Sequence, residues 1–228
     1  MARPALTIAP EGPDLADELP AARLDAADVA SDGSWAEVRL SDSSLPGLAA
    51  TGLSFKEAVL AGVDLTGGRL IGISFADVEL AGCNLANVDA RAGSMRRVAV
   101  RGCRMTGVLW TEGAVRDVVL SDCRIDLASF TATTLEQVVF EGCILRQADF
   151  QDAQLRAVRF VDCDLTDADL SGARLAHCEL RGCTLDGVRG AASLRGAAMP
   201  WADIVAAAGT FADTLGVRVL DPADPDSR

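Results

Sequence analysis

From Leu40 to Leu185 every fifth residue is large and apolar, with only Ala50 and Ala90 departing among 30 positions, and the frame never slips. A period of five matches neither the 3.6 of a helix nor the 2 of an ordinary strand. It describes a chain that turns a corner every five residues and points one large side chain inward from each side. A smaller series (Ala58, Val63, Val78, Val98 and others) precedes each large residue by two. Residues two apart in an extended segment face the same way, so both series fill one interior. A second period supports this geometry. The eight-residue pattern of Val78 to Leu85 returns at Val98 to Met105 and at twenty-residue steps as far as Cys178 to Leu185. Four sides therefore make a coil, and coils bury their faces only by stacking on one another. With strands spaced about 4.8 Å apart, some eight coils make a rod roughly 38 Å long.

Segments such as Ala168-Asp169-Leu170-Ser171-Gly172 and Val63-Asp64-Leu65-Thr66-Gly67 resemble the A(D/N)LXX unit of the pentapeptide-repeat family. The resemblance implies an all-β fold, a right-handed quadrilateral parallel β-helix of about eight coils. It spans the repeat region, residues 35–190. Residues 1–34 read as an acidic N-terminal arm with an imperfect first coil around Leu24 and Val29. Four prolines keep the start of that arm extended or disordered. Residues 191–228 read as a C-terminal capping helix, a short strand over Val217 to Leu220, and a tail. In the helix, Pro200 suits the first turn and Gly216 the stop. Trp201, Ile204, Val205, Phe211 and Leu215 form its apolar stripe, placed to close the open end of the solenoid, whose bare edges would invite aggregation. Relatives use such an element to dimerise, so the resemblance leaves a homodimer through this stripe open.

No catalytic constellation emerges, and no enzyme activity, cofactor or metal site is expected. His177, the one histidine, falls at an outward corner. Serines and threonines after the large residues are turn formers, and glycines 82, 102, 142, 172 and 182 mark corners rather than a phosphate loop. The carboxylates of Asp167 and Asp169 face no evident cleft. Cys83, Cys103, Cys123, Cys143, Cys163 and Cys183 recur every twenty residues in the small inward series and should stack as a ladder, with Cys178 beside it. Parallel side chains suit neither a tetrahedral metal site nor a disulfide, which leaves reduced core cysteines.

The chain carries net charge −12. There is no run of 18 apolar residues and no cleavable apolar leader, so neither a membrane span nor export is expected. One lysine against twenty arginines, with abundant Ala and Gly, fits a cytoplasmic protein of a high-GC bacterium. Known relatives protect DNA gyrase or other topoisomerases as acidic mimics of duplex DNA, and the resemblance implies that role as one alternative. The repeat region itself holds 21 acids against 16 bases, and the column Glu57, Asp77, Arg97, Asp117, Gln137 mixes signs. Arg91, Arg96, Arg97, Arg101 and Arg104 form a basic band that a phosphate mimic would avoid. Direct nucleic-acid binding is disfavoured by the net acidity and by the lack of aromatics within that band. The leading expectation is a non-catalytic scaffold that binds a protein partner through its outer walls.

Overall fold

The computed structural model describes residues 8–26 and 29–219. Strands β1 (Ala21–Ala22), β2 (Ser34–Ala36), β3 (Arg39–Ser41), β4 (Ala49–Thr51), β5 (Ser54–Ala61) and β6 (Arg69–Ile71) open the chain. They are followed by β7 (Ser74–Ala81), β8 (Ser94–Arg101), β9 (Ala114–Ser121), β10 (Thr134–Glu141), β11 (Gln154–Val161), β12 (Arg174–Ala176) and β13 (Glu179–Arg181). Every pairing is parallel, and β5 and β7 to β11 are each offset from the next by twenty residues, as in Leu135↔Leu155 and Leu135↔Val115. The result is a parallel β-solenoid of about eight turns. Of the 30 positions at the five-residue period, only Leu175 is less than fully buried.

Four walls follow from the register. Wall A centres on residues 55, 75 and so on, wall B on 60 and 80, wall C on 65 and 85, and wall D on 70 and 90. Walls A and B share one eight-residue strand bent around a corner. Beyond β4 and β6, walls C and D meet their neighbours through single bridges such as Arg124↔Ile144 and Ser129↔Asp149. The corner geometry is uniform: every fifth residue from Asp32 to Gly187 has φ between +49° and +72°. Left-handed backbone costs an ordinary L residue about 1–2 kcal/mol. These corners carry Gly, Asp, Asn, Glu, Gln, Arg, Ala, Leu and His, and no β-branched residue. At three of the four corners, glycine is the commonest solution or shares the column with Asp. Gly142 lies directly above Asp122, and a Cβ on it would come within 3.0 Å of the Asp122 carboxylate. The A–B corner between Glu57 and Ala157 has no glycine at all.

Inside, aromatic rings stack along the axis. Phe130 and Phe150 lie 5.2 Å apart and Phe140 and Phe160 4.9 Å, with edge-on contacts between the two pairs. The two departures from the period sit in the same lumen as a second group, in which Phe75 stacks on Phe55 at 5.4 Å and on Trp110 at 6.4 Å. Trp110 follows Ala90 one coil on in wall D, and Gly93 and Gly113 flank its ring. A Cβ on Gly113 would lie 2.7 Å from the indole. One oversized side chain thus takes up the volume that Ala90 and two glycines leave free.

The chain leaves the solenoid through a short 3₁₀ turn (Ala191–Leu194), with Ala191 and Leu194 buried over the lumen end. Ala198 then adds a last bridge to Glu179. The expected single helix forms as two, α1 (Trp201–Ala206) and α2 (Ala208–Thr214), which meet at Ala207. Val217 to Val219 carry no strand, and Leu220 lies outside the described residues. At the other end, residues 8–20 of the arm are seated on the solenoid without helix or strand of their own, and Pro4 lies outside the described residues. Pro20 accepts the Arg39 amide (2.9 Å), the Asp14 amide donates to Asp77 (3.1 Å), and Ile8 is buried.

Candidate interaction surface

With the lumen filled, any function falls to the outer surface and the two ends. The motif's own Asp or Asn, one residue before the large apolar one, explains much of the chemistry on walls C and D. Its carboxylate or amide oxygen accepts the backbone N–H two residues on. Asp64 takes Thr66 (3.0 Å), Asp149 takes Gln151 (2.8 Å), Asp164 takes Thr166 (3.1 Å) and Asp169 takes Ser171 (2.8 Å). These side chains cap the turns of the two walls that lack continuous strands. Burial opposes ionisation of Asp164 and Asp169. The Thr166 and Ser171 hydroxyls and amides, aided by Arg146 and Arg189, outweigh it and hold both carboxyls below the usual range. Asp169 is therefore occupied structurally, while Asp167 is exposed at the adjacent corner, and the two do not form a working pair.

The basic band is largely neutralised. Arg97 grips Asp77 with two nitrogens at 2.6 and 2.5 Å, Arg101 pairs with Glu79, and Arg91 pairs with Asp89 (2.8 Å). Arg97 is the main reason the Asp77 carboxyl sits low, against its burial and with help from the Asp14 amide. Arg96 and Arg104 are exposed and make no ion pair among the described residues. His177 is exposed at the A–B corner. Among the described residues, no group of three or more His, Cys, Asp or Glu is placed to hold a metal, and no helix is long and apolar enough to cross a membrane.

The cysteines form the expected ladder, with Cys178 one wall away, and all seven are free. They also do something the sequence did not signal. Each thiol donates to two corner carbonyls, 23 and 2 residues earlier, as Cys123 does to Val100 (3.6 Å) and Ser121 (3.2 Å). Ser43 begins the same column and bonds Ser41, and Thr133 repeats the pattern in another column, reaching Trp110 and Thr131. Where it holds Cys, Ser43 or Thr133, the small inward position is thus a donor position. The hydrogen-bonded thiol of the preceding rung, together with burial, pushes Cys123, Cys143 and Cys163 up to about 12, so these sulfurs stay protonated and unreactive.

At the C-terminal end, the apolar stripe divides. Ile204 and Phe211 turn toward the solenoid and line a concavity of about 860 Å³ with Leu194, Met199 and Leu215. Trp201, Val205 and Leu215 are 77%, 57% and 78% exposed. The last coil's edge is sealed by two polar residues that hydrophobic spacing could not single out. Asp203 accepts the Gly182 amide (2.7 Å), and the Thr210 hydroxyl donates to Leu185 (2.9 Å). With Ala207 they form one inward face at positions four and three apart, which is the signal that was available.

These features define a parallel β-solenoid with a packed interior, corners of one type and a side-chain-sealed end. The pentapeptide repeat region family matches residues 93–166 and 128–189, so this stretch of the solenoid is a pentapeptide repeat region. No curated protein matches it in sequence. Among solved structures, it is similar to HetL, a pentapeptide repeat protein involved in heterocyst differentiation regulation from the cyanobacterium Nostoc sp. strain PCC 7120. That match is 20% identical, covers 74% of this chain and 90% of that one, and has a TM-score of 0.41. Full-length QnrB1, a plasmid-mediated fluoroquinolone resistance protein, is 18% identical over 81% of this chain and all of that one, with a TM-score of 0.38. Rfr23 from the cyanobacterium Cyanothece 51142 is 15% identical over 54% and 88%, with a TM-score of 0.39.

Proposed function

We propose that this pentapeptide-repeat protein is a non-catalytic, cytoplasmic scaffold that binds a protein partner through its outer walls. The observation that carries the reading is the division of labour between inside and outside. The lumen is packed with apolar side chains and rings, so it has no room for a substrate. The outer walls present flat ladders of alternating charge, tied by eleven ion pairs among the described residues. Such ladders give register and sign to a protein partner. Trp201 and Val205, one turn apart on α1 and both exposed, offer an apolar face that fits a second copy of the chain. Homodimerisation through it is part of the proposal, and Trp201→Glu should convert a dimer to a monomer in light scattering.

The scaffold reading is tested by affinity capture from a high-GC bacterial lysate, using the wild type and an Arg96→Glu/Arg116→Glu variant of matched circular dichroism. A defined protein retained by the first and lost by the second supports it. The same proteins retained by both would sink it.

One observation favours the DNA-mimic alternative. Acids gather on walls C and D of the last coils, where Asp149, Asp152, Asp164, Asp167, Asp169 and Asp186 face only Arg146 and Arg189. Duplex DNA carries about one charge per 1.7 Å, and the paired arginines of residues 91–104 interrupt any such stripe. Supercoiling by gyrase from a high-GC bacterium, titrated with the protein with and without a fluoroquinolone, decides. Inhibition or drug rescue would replace the scaffold reading with mimicry, and no effect would remove mimicry.

A further inference from the structure

Four walls of one solenoid do not carry the same charge. Between Ser54 and Arg189, walls B, C and D each hold five acids and three bases on their outward positions, whereas wall A holds six bases and four acids. Wall A is the single net-positive strip on a chain of charge −12. The acidic arm lies against its edge. Residues 8–20 contain Glu11, Asp14, Asp17 and Glu18 and no base. From Pro20, bonded to Arg39 in wall B, the arm climbs to Asp77 at the A–B corner. Glu11 and Asp14 add their charge to that of Asp77 around Arg97, one coil further on. Ile8 at the far end is 5% exposed yet stands apart from the lumen core, and outward-facing Val59 is 4% exposed in wall B. The arm's acids meanwhile remain exposed.

The seat has the features of a peptide site. It runs beside the one corner without glycine, so side chains rather than bare backbone project from it. It offers a buried carboxylate, Asp77, to a backbone amide of the arm, that of Asp14. In the same column, Gln137 Oε1 is buried without a hydrogen-bond partner among the described residues, and this second acceptor is one the described part of the arm does not reach. Buried acceptors are rarely left unmatched.

We propose that the A–B corner is a docking strip for an extended acidic polypeptide, that the N-terminal arm is its resident occupant, and that a partner's acidic segment binds by displacing the arm. The proposal rests on the scaffold reading and gives that partner's chemistry: an extended, proline-containing acidic segment whose amides meet Asp77 and Gln137. Because the arm is tethered, its local concentration is high, so an external peptide sees only the fraction of molecules with the strip open.

The test uses the full chain with the arm neutralised by Glu11→Gln, Asp14→Asn, Asp17→Asn and Glu18→Gln. The probe is a fluorescein-labelled peptide of residues 8–20, read by fluorescence anisotropy. The neutralised variant should bind the peptide about ten-fold more tightly than wild type, the ratio expected if the strip is open in about a tenth of wild-type molecules. Binding should weaken as salt rises and disappear when Arg96→Glu and Arg97→Glu are added. Equal affinity for wild type and variant, or no saturable binding to either, overturns the proposal. So does capture of a labelled DNA duplex by the variant that the peptide cannot compete, since the strip would then read phosphates. A lysate protein that needs Arg96 and Arg116 yet binds without displacing the labelled peptide would keep the scaffold reading while this proposal fails, so the two fail separately.

Discussion

Walls A and B differ from walls C and D in how much their side chains help to hold the turns, although one chain winds through all four with one period. On A and B, eight-residue strands pair continuously from coil to coil, and the corner between them keeps charged and amide side chains. On C and D the ladder thins to single bridges, and the motif's Asp and Asn take over the turn amides. A repeat can therefore fix a period without fixing the bonding. On every wall the backbone bonds from coil to coil, as the Leu145 amide does to Asp164 (2.7 Å) and the Gln147 amide to Thr166 (2.9 Å) on wall C; on C and D side chains are in addition tied into holding the turn.

The largest expected effect comes from the wall D core. Trp110→Ala should cost about 3–5 kcal/mol in urea unfolding, toward the upper end because Ala90, Gly93 and Gly113 cannot refill the space. Leu135→Ala in wall A should cost less, within about 2–5 kcal/mol. Equal losses would mean that the two halves of the lumen repack alike. The corners come next. Gly142→Ala, at φ 60° and facing the Asp122 carboxylate, should destabilise by about 1–2 kcal/mol. Ala157→Gly at the A–B corner relieves the same strain but frees the unfolded chain, so it should fall between neutral and about 1 kcal/mol stabilising. Destabilisation by Ala157→Gly would show that the A–B corner is held differently from the others.

A smaller effect tests the caps. Asp149→Ala should lose about 1 kcal/mol by freeing the Gln151 amide, while Asp149→Asn keeps the acceptor and most of the stability. Equivalent losses would remove the capping account. Acid titration gives the smallest signal. Asp77, Asp89, Asp164 and Asp169 all have folded values below the ordinary one. Their contribution is fully present above the unfolded value near 3.9 and is lost as pH falls through the lower folded values. The melting temperature should therefore hold steady from neutral pH to about pH 4 and decline below it. A decline beginning near neutrality would point to groups other than these.

The period exposed the walls, the lumen and the cysteine ladder because apolar burial repeats faithfully along the chain. Ala50 and Ala90 read as gaps, since one residue's volume is legible in sequence and its neighbour's overhang is not. The C-terminal stripe was visible as a helix. Its break at Ala207, and the sealing of the edge by Asp203 and Thr210, depend on which backbone groups the last coil leaves unpaired. The arm's acids and prolines read only as a lead, because its seat runs from Arg39, 19 positions from Pro20, to Asp77, 63 positions from Asp14, and no local pattern signals either. The sign-mixed column Glu57, Asp77, Arg97, Asp117 and Gln137 stood out in the sequence, but its role as the one corner without glycine required the backbone angles.

The uniform corner has a consequence for length. With one left-handed residue in five, losing a single residue would move Val or Ile into corners that hold no β-branched side chain, so the rod can change only in whole sides. Losing five residues keeps every corner sound but rotates everything downstream by a quarter turn, carrying the helices that seal Gly182 and Leu185 onto the next wall. Only steps of twenty preserve both fit and phase. The solenoid is a ruler graduated in single coils, each about 4.8 Å long, and its C-terminal patch keeps a fixed bearing relative to the A–B corner at every permitted length.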